Sequence, residues 1–346
     1  MKLSEQISSF LHPGRHAKAL RYAMRHDTLV DMAISKKESG ITDHRYCDHE
    51  IIVSLTTYGK RLYEVDATIE SLMSGSARPN RIILWLEEQL KDCPLPATLL
   101  NQKRRGLQIE YCKDIRSYKK LIPTLRDYPD AAIITIDDDA LYAYDLVDRL
   151  INEHLRYPRE IIANRSRRIC LDKDGKPKNY LLWGNVAAPY ESSHLNFFTG
   201  VGGVLYPPHC LHPEVCNEEV FMDICKYADD IWFYSMALMA ATKVRKCPSH
   251  HASGEDFLSN DNVQDTSLYK LNNALSGKGR CLNDIQFTAV IDRYNLWGTL
   301  VSMAEEERAS GGGVVYIRIY PKKSLIVETE GIPWEEFLQI RPAQLF

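Results

Sequence analysis

The sequence lacks several features that identify common protein classes. It has no apolar run close to the roughly 18 residues that a transmembrane helix needs. Its first residues are polar and charged, unlike those of a secretion signal. Its net charge of −3 argues against a dedicated nucleic-acid-binding protein, which is normally basic. We therefore expect a globular protein of the cytoplasm, with no nucleic-acid partner.

Paired cysteines and glycine-rich phosphate loops are also missing. The nine cysteines are scattered and form no Cys-x-x-Cys pair, so buried free thiols are expected. Cys210, Cys216 and Cys225 lie near His209 and His212 in the sequence, but this spacing matches no standard zinc finger. The absence of Gly-x-Gly-x-x-Gly and of a Walker loop disfavours dinucleotide and P-loop chemistry.

From residue 50 the chain alternates between predicted strands and predicted helices. The apolar patterns predict strands at 51–55, 81–86, 107–111 and 132–136, and helices at 62–73, 95–103, 121–127 and 146–155. Such alternation predicts an α/β fold, with a mostly parallel central sheet and helices on both faces.

Other parts of the chain flank or follow this regular region. Residues 1–48 are predicted to be a basic helical segment that packs on the main domain, or alternatively touches an anionic membrane surface; Pro13-Gly14 would break a continuous helix there. Residues 49–160 form the regular half and 161–298 a less regular half, with helices predicted at 217–242 and 283–296. Residues 299–346 form an appendage with a hairpin, 314–320 against 324–328.

The most informative segment is the triplet Asp137, Asp138 and Asp139, which directly follows the β-branched run 133–136. The run suits a strand buried on both faces, and open α/β sheets place ligands at the carboxyl ends of their strands. Three adjacent carboxylates repel one another, and Mg²⁺ or Mn²⁺ is the kind of cation that satisfies oxygen ligands. The alternative is a solvated acidic turn.

Polar groups also follow the first and third predicted strands. Thr56 and Tyr58 offer hydroxyls and a stacking face, and Arg61 offers a fork for phosphate. After the third strand, Asp114 is suited to accept hydrogen bonds from a base or a sugar. Either Lys119 or Lys120 is suited to reach a phosphate, and a solvated charged loop is the alternative.

Three later segments contain further candidate site residues. Gly202 and Gly203 precede a short apolar strand and indicate either a backbone close to substrate or a tight turn. Asp229 and Asp230 enter an apolar helix, where one of them is suited to act as a general base or as an N-cap. His251 offers an imidazole as a metal ligand, or is a surface or core histidine.

Taken in order, these segments resemble the nucleotide-sugar glycosyltransferases of the GT-A fold, especially the bacterial family 2-type enzymes of surface polysaccharide and lipopolysaccharide assembly. The resemblance rests on segments 53–58, 118–123, 137–139, 202–207 and 229–230. It implies a hexosyltransferase of the cytoplasm, or of the inner face of the membrane. The donor would be a nucleotide diphosphate sugar, and the acceptor a saccharide or lipid-linked saccharide.

The resemblance also implies roles for individual residues. Residues 49–160 would be the nucleotide-sugar-binding half and 161–298 the acceptor-binding, catalytic half. The residues around the nucleotide would be Thr56, Tyr58, Arg61, Asp114 and Lys120, with Asp137 or Asp138 at the ribose. Mn²⁺ or Mg²⁺ would be held by Asp139, with Asp137 and His251 as further ligands, while Gly202 and Gly203 would line the sugar.

The base of an inverting displacement would be Asp230 or Asp229. The family usually has Glu-Asp where this chain has Asp-Asp, so the resemblance does not decide between the two. Two other hypotheses fit the same residues. One is a metal-dependent phosphohydrolase or nucleotidyltransferase, and the other is a non-catalytic sugar-binding protein of the same fold.

Overall fold

The structure is a computed structural model that describes residues 13–172, 174–186, 191–249, 256–259, 268–275, 279–311, 314–319, 325–330 and 332. Its helices are α1 Pro13–Ser35, α2 Val65–Met73, α3 Ala97–Arg104, α4 Ile122–Asp127, α5 Leu146–Arg156, α6 Glu218–Ile224, α7 Asp229–Met239, α8 Leu268–Asn273, α9 Leu282–Arg293 and α10 Trp297–Ala309. Its strands are β1 Ile51–Thr56, β2 Arg81–Glu87, β3 Leu107–Cys112, β4 Ala132–Thr135, β5 Ala140–Tyr142, β6 Ile161–Ala163, β7 Ser166–Arg168, β8 Gly184–Val186, β9 Asn196–Phe198, β10 Val204–Tyr206, β11 Val244–Lys246, β12 Phe257–Ser259, β13 Val314–Ile319 and β14 Leu325–Glu330.

A seven-stranded sheet lies at the centre, with the strand order β11-β6-β10-β4-β1-β2-β3. β1 pairs in parallel with β2 and β4, and β2 pairs in parallel with β3. β10 runs antiparallel to both β4 and β6, while β11 is parallel to β6. The sheet is therefore mostly parallel, as predicted. The carboxyl ends of β1, β3 and β4 share one edge, where open α/β sheets bind ligands.

Apolar cores cover both faces of this sheet. Ile133 and Ile134 are adjacent in β4, so their side chains point to opposite faces. Ile134 packs with Val53 and with Ile69 of α2, whereas Ile133 packs in the core that contains Trp232 of α7. Both isoleucines are fully buried, and each such burial stabilises the fold by about 1.5–3 kcal/mol. The prediction of a strand buried on both faces, with helices on each side, is confirmed.

A second sheet joins the C-terminal residues to the less regular half. Its order is β14-β13-β8-β7-β9, and every pairing in it is antiparallel. The predicted hairpin is confirmed as β13 and β14, although Tyr320 and Ser324 lie outside the described residues. Because β13 also pairs with β8, the appendage shares a sheet with residues 161–298.

The N-terminal helix packs on the main domain, as predicted. α1 begins at Pro13, where proline is tolerated because the first N–H groups of a helix have no intrahelical partner. Leu29 and Ala33 are buried, and Asn101 of α3 donates a hydrogen bond to the Ala33 carbonyl at 2.8 Å. Residues 1–12 lie outside the described residues, so the membrane-contact hypothesis stays a prediction. None of the described helices has the length and apolarity needed to cross a membrane.

Two helical predictions were incomplete. The helix predicted at 217–242 is two helices, α6 and α7, so Asp229 and Asp230 begin a helix rather than lying in the middle of one. The first turn of a helix favours negative charge, because its free N–H groups point toward it. The helix α10 was not predicted, because few of its residues are buried and its apolar pattern is weak.

Candidate functional site

The Asp triplet lies in the turn between β4 and β5, at the carboxyl edge of the sheet. Tyr142 of β5 fixes this turn. Its hydroxyl accepts a hydrogen bond from the Asp137 N–H at 3.0 Å and donates one to the Val201 carbonyl at 3.1 Å. Because Tyr142 is fully buried, the position of Asp137 is set by the core of the protein.

Asp138 points inward, and both of its carboxylate oxygens accept hydrogen bonds. Thr57 Oγ1 donates to Oδ2 at 2.6 Å, and Arg61 Nη1 donates to Oδ1 at 2.8 Å. Thr68 Oγ1 donates to the Asp138 carbonyl at 3.1 Å. Burial raises the pKa of Asp138, although Arg61 and Thr57 oppose that rise. These contacts give Asp138 a role in holding the turn.

Asp137 and Asp139 are the more accessible members of the triplet. Their side chains are 31% and 19% exposed, whereas that of Asp138 is 7% exposed. Asp139 Oδ2 lies 3.2 Å from Arg61 Nη2. Burial, followed by the charge of Asp137, raises the pKa of Asp139 to about 6. The repulsion that remains between these carboxylates is what a bound cation would relieve.

Lys120 links the triplet to the distant Asp pair. Its Nζ lies 2.9 Å from Asp137 Oδ1 and 2.9 Å from Asp229 Oδ2. The contact with Asp229 is an ion pair rather than an aligned hydrogen bond. Burial alone would lower the pKa of Lys120, but Asp137, Asp229 and Asp230 outweigh it and raise the pKa. One buried ammonium thus connects the two halves of the chain.

Asp230 differs from its neighbour Asp229. The Gly200 N–H donates to Asp230 Oδ2 at 3.0 Å, while Oδ1 is shielded from solvent and has no hydrogen-bond partner among the described residues. Burial, followed by the charge of Asp229, raises the pKa of Asp230 to about 7. Neither carboxylate caps α7, whose N-cap is Ala228 without a side-chain hydrogen bond. Asp230 is therefore a carboxylate that can exchange a proton near neutral pH.

Gly200 lies where these charged groups converge. A Cβ at this position would lie 2.7 Å from Lys120 Nζ, 3.0 Å from Asp230 Oδ1 and 3.4 Å from Asp137 Oδ1. The predicted glycines are nearby, but a Cβ on Gly202 would meet Arg165, and Gly203 has a φ of +89°. Gly202 and Gly203 thus shape the turn, whereas Gly200 leaves the space between the carboxylates open.

The residues after β1 and β3 lie at the same edge. Thr56 Oγ1 donates to a β2 carbonyl at 2.8 Å. Tyr58 is 45% exposed, and its ring faces the Arg61 guanidinium, whose carbon lies 5.3 Å from the ring centre. Asp114 Oδ1 pairs with Lys119 Nζ at 2.5 Å and keeps its side chain 48% exposed. Of the two lysines left open by the sequence, Lys119 contacts Asp114 and Lys120 contacts the catalytic candidates.

Some contributors to the site were missed in the sequence. Thr57 follows the predicted Thr56, just beyond the end of β1, and its side chain contacts Asp138. Tyr142 and Gly200 act through contacts between distant segments, for which the sequence carries no local signal. His251 lies outside the described residues, so its predicted role as a ligand stays a prediction.

The cysteines do not build the disfavoured zinc site. All nine are free thiols. Within the described part of the chain, Cys210, Cys216 and Cys225 do not join any group of three potential metal ligands. A comparison with models of protein families and a search of curated proteins found no match to this chain.

Proposed function

We propose that this protein is a metal-dependent glycosyltransferase that moves a sugar from a nucleotide diphosphate sugar to an acceptor hydroxyl, with inversion. The observation that carries the proposal is the meeting of the Asp triplet and the Asp pair around Lys120 and Gly200. Direct displacement needs a group that neutralises the leaving diphosphate and a base for the acceptor. In this proposal the Asp triplet would hold the cation that neutralises the diphosphate, and the Asp pair would provide the base.

The donor set at the triplet fits Mn²⁺ or Mg²⁺. Asp138 is buried against Thr57 and Arg61, so the more accessible carboxylates for a metal are Asp137 and Asp139, two residues apart. Mg²⁺ is commonly held by one or two carboxylates together with substrate phosphates. When bound, the ion neutralises the charge that develops on the nucleoside diphosphate as it leaves. Arg61 contributes by holding Asp138 and Asp139 in place.

Asp230 is the proposed base. The acceptor oxygen forms a bond to the anomeric carbon of the donor as the bond from that carbon to the diphosphate oxygen breaks, and the acceptor proton passes to Asp230. Asp230 Oδ1, which has no hydrogen-bond partner in the described part of the chain, and the pKa of about 7 support this role. Asp229 forms an ion pair with Lys120, and its proposed role is to position Lys120.

Recognition of the two substrates is divided between the halves of the chain. The exposed ring of Tyr58 and the exposed carboxylate of Asp114 are the proposed contacts to the nucleotide. We assign the acceptor to the second half, which supplies the proposed base, Asp230.

The proposed setting is bacterial polysaccharide or lipopolysaccharide synthesis, in the cytoplasm or at the inner face of the membrane. The nine free thiols support a reducing compartment. A saccharide or a lipid-linked saccharide is the proposed acceptor class.

A thermal-shift screen tests the proposal. Nucleoside diphosphates and their sugars are added to the protein with and without Mn²⁺, and the melting temperature is recorded. A ligand that binds the folded state raises it. We expect one nucleotide base to give a shift that requires the metal. Absence of a metal-dependent shift with every nucleotide would refute the proposal.

A further inference from the structure

A second cluster of potential ligands lies at the opposite edge of the sheet. Cys47 and His49 directly precede β1, and His154 lies near the end of α5. One ligand atom from each residue lies within 4.8 Å of the other two. Among the described residues, this is the only such group of three. Because β1 starts at Ile51, the cluster lies at the amino edge, away from the carboxylates.

The two imidazoles face each other closely. His49 Nε2 lies 2.9 Å from His154 Nε2, and the ring centres are 5.1 Å apart. His154 is 1% exposed, and its Nδ1 has no hydrogen-bond partner among the described residues. In neutral rings each nitrogen either donates or accepts, so at this contact one Nε2–H donates to the lone pair of the other Nε2. A metal ion in place of that proton would bind the lone pairs of both nitrogens.

We propose that Cys47, His49 and His154 bind a zinc ion. Thiolate and imidazole are its preferred ligands, at about 2.3 Å and about 2.0–2.1 Å, whereas Mg²⁺ and Mn²⁺ prefer oxygen. Two nitrogens on a tetrahedral ion lie about 3.3 Å apart, so the 2.9 Å contact needs only a small opening. Binding releases the thiol proton of Cys47, and water completes the fourth position.

The proposed ion would tie the segment before β1 to α5. The ion is separate from the proposed transfer reaction, because the carboxylates lie at the other edge of the sheet. Zinc would therefore stabilise the folded state, since a ligand bound only by that state adds to its free energy of unfolding.

Metal content measured on the whole protein tests this inference. The chelator-treated protein is incubated with Zn²⁺ in excess Mg²⁺, which competes for the carboxylates, then desalted and analysed for zinc. We expect one zinc per chain. Co²⁺ in place of Zn²⁺ should give a thiolate charge-transfer absorption.

The half-buried Cys47 and His49 provide the variants, because replacing the buried His154 risks the fold itself. Cys47→Ser and His49→Gln should each lose stoichiometric zinc, and Cys47→Ser should also lose the cobalt absorption. Cys93→Ser and His209→Gln, at exposed positions, are the matched controls and should keep both. Wild type without retained zinc, or either cluster variant with full zinc, would overturn the inference.

Discussion

Asp137, Asp138 and Asp139 are adjacent in the sequence but meet different surroundings. Asp138 is held by Thr57 and Arg61 and is buried, whereas the side chains of Asp137 and Asp139 are partly exposed. The three residues therefore separate into one that holds the turn and two that are suited to a metal. This separation follows from packing, since all three carboxylates have the same chemistry.

The first prediction separates metal binding from proton transfer. Asp139→Asn should weaken Mn²⁺-dependent binding of the nucleotide sugar at least about 10-fold, because it removes a charged ligand. Asp230→Asn should leave that binding within about 2-fold and reduce transfer by about 10²–10⁴-fold, as expected for loss of a general base. Calorimetry measures the binding, and single-turnover assays measure the transfer.

A change at Asp223 serves as the control for this pair. It is an exposed carboxylate on α6, and Asp223→Asn should alter neither quantity. Full turnover by Asp230→Asn would contradict the assignment of the base.

The second prediction concerns pH and the metal-free protein. The ordinary pKa of both Asp139 and Asp230 is 3.8, and the fold raises them to about 6 and about 7. The folded state therefore binds these two protons more tightly than the unfolded state does. The stabilisation that this binding gives to the folded state is fully present below pH 3.8 and is lost as the pH rises through about 7. These two groups should therefore lower the free energy of unfolding as the pH rises over this range.

Denaturant unfolding at a series of pH values measures this loss. Asp230→Asn should flatten the profile, because its amide does not titrate. Mn²⁺ should restore stability at the alkaline end. A variant profile as steep as that of the wild type would contradict the assigned cause.

The third prediction concerns Gly200. Gly200→Ala places a methyl group 2.7 Å from Lys120 Nζ and 3.0 Å from Asp230 Oδ1, so it should displace both groups. Transfer should fall at least about 10-fold, since small displacements of catalytic groups are costly. Gly298→Ala is the matched control, because its Cβ meets no atom within 4 Å. Equal activity of the two variants would contradict the role of Gly200.

At the scale of elements, a buried ion pair joins α2 to the end of α3. Arg105 donates to Glu70 through Nη1 at 2.7 Å and through Nη2 at 3.0 Å, and both side chains are at most 2% exposed. Arg105→Met should lower the free energy of unfolding by about 3–5 kcal/mol, because it leaves a buried charge without its partner. Lys113→Met removes an exposed pair with Glu218 and should cost less than about 1 kcal/mol.

Denaturant unfolding of both variants checks this prediction. The double variant Glu70→Met and Arg105→Met should recover part of the loss, because no unpaired charge remains. Equal losses for Arg105→Met and Lys113→Met would contradict it.

The elements that the sequence predicted well are those fixed by local pattern. Four consecutive buried residues define β4, and because three of them are β-branched they predict a central strand without knowledge of the fold. The break between α6 and α7 is different. Tyr118 donates a hydrogen bond to the Cys225 carbonyl at 2.6 Å, and Asn272 donates to the Tyr227 carbonyl. These partners are distant in the sequence and leave no local signal. The apolar pattern of the sequence runs through the break, so it predicted one helix instead of two.

At the scale of the whole molecule, the candidate site lies where the two halves of the chain meet. The βα alternation predicted which strand ends share an edge, and so which polar residues lie there. It did not predict that Lys120 pairs with both Asp137 and Asp229, because that contact depends on how α7 packs against the sheet. The sequence therefore predicted that the site lies at the carboxyl edge of the sheet, whereas the contacts of each residue there depend on tertiary packing.

The product released from the nucleotide sugar tests the central proposal most directly. The protein is incubated with the donor selected by the thermal-shift screen and with Mn²⁺, and the nucleotides are separated by chromatography. We predict nucleoside diphosphate from the wild type and almost none from Asp230→Asn. Release of inorganic phosphate or pyrophosphate would instead indicate a phosphohydrolase or a nucleotidyltransferase. Binding without any product would indicate a non-catalytic sugar-binding protein, and either result would contradict glycosyl transfer.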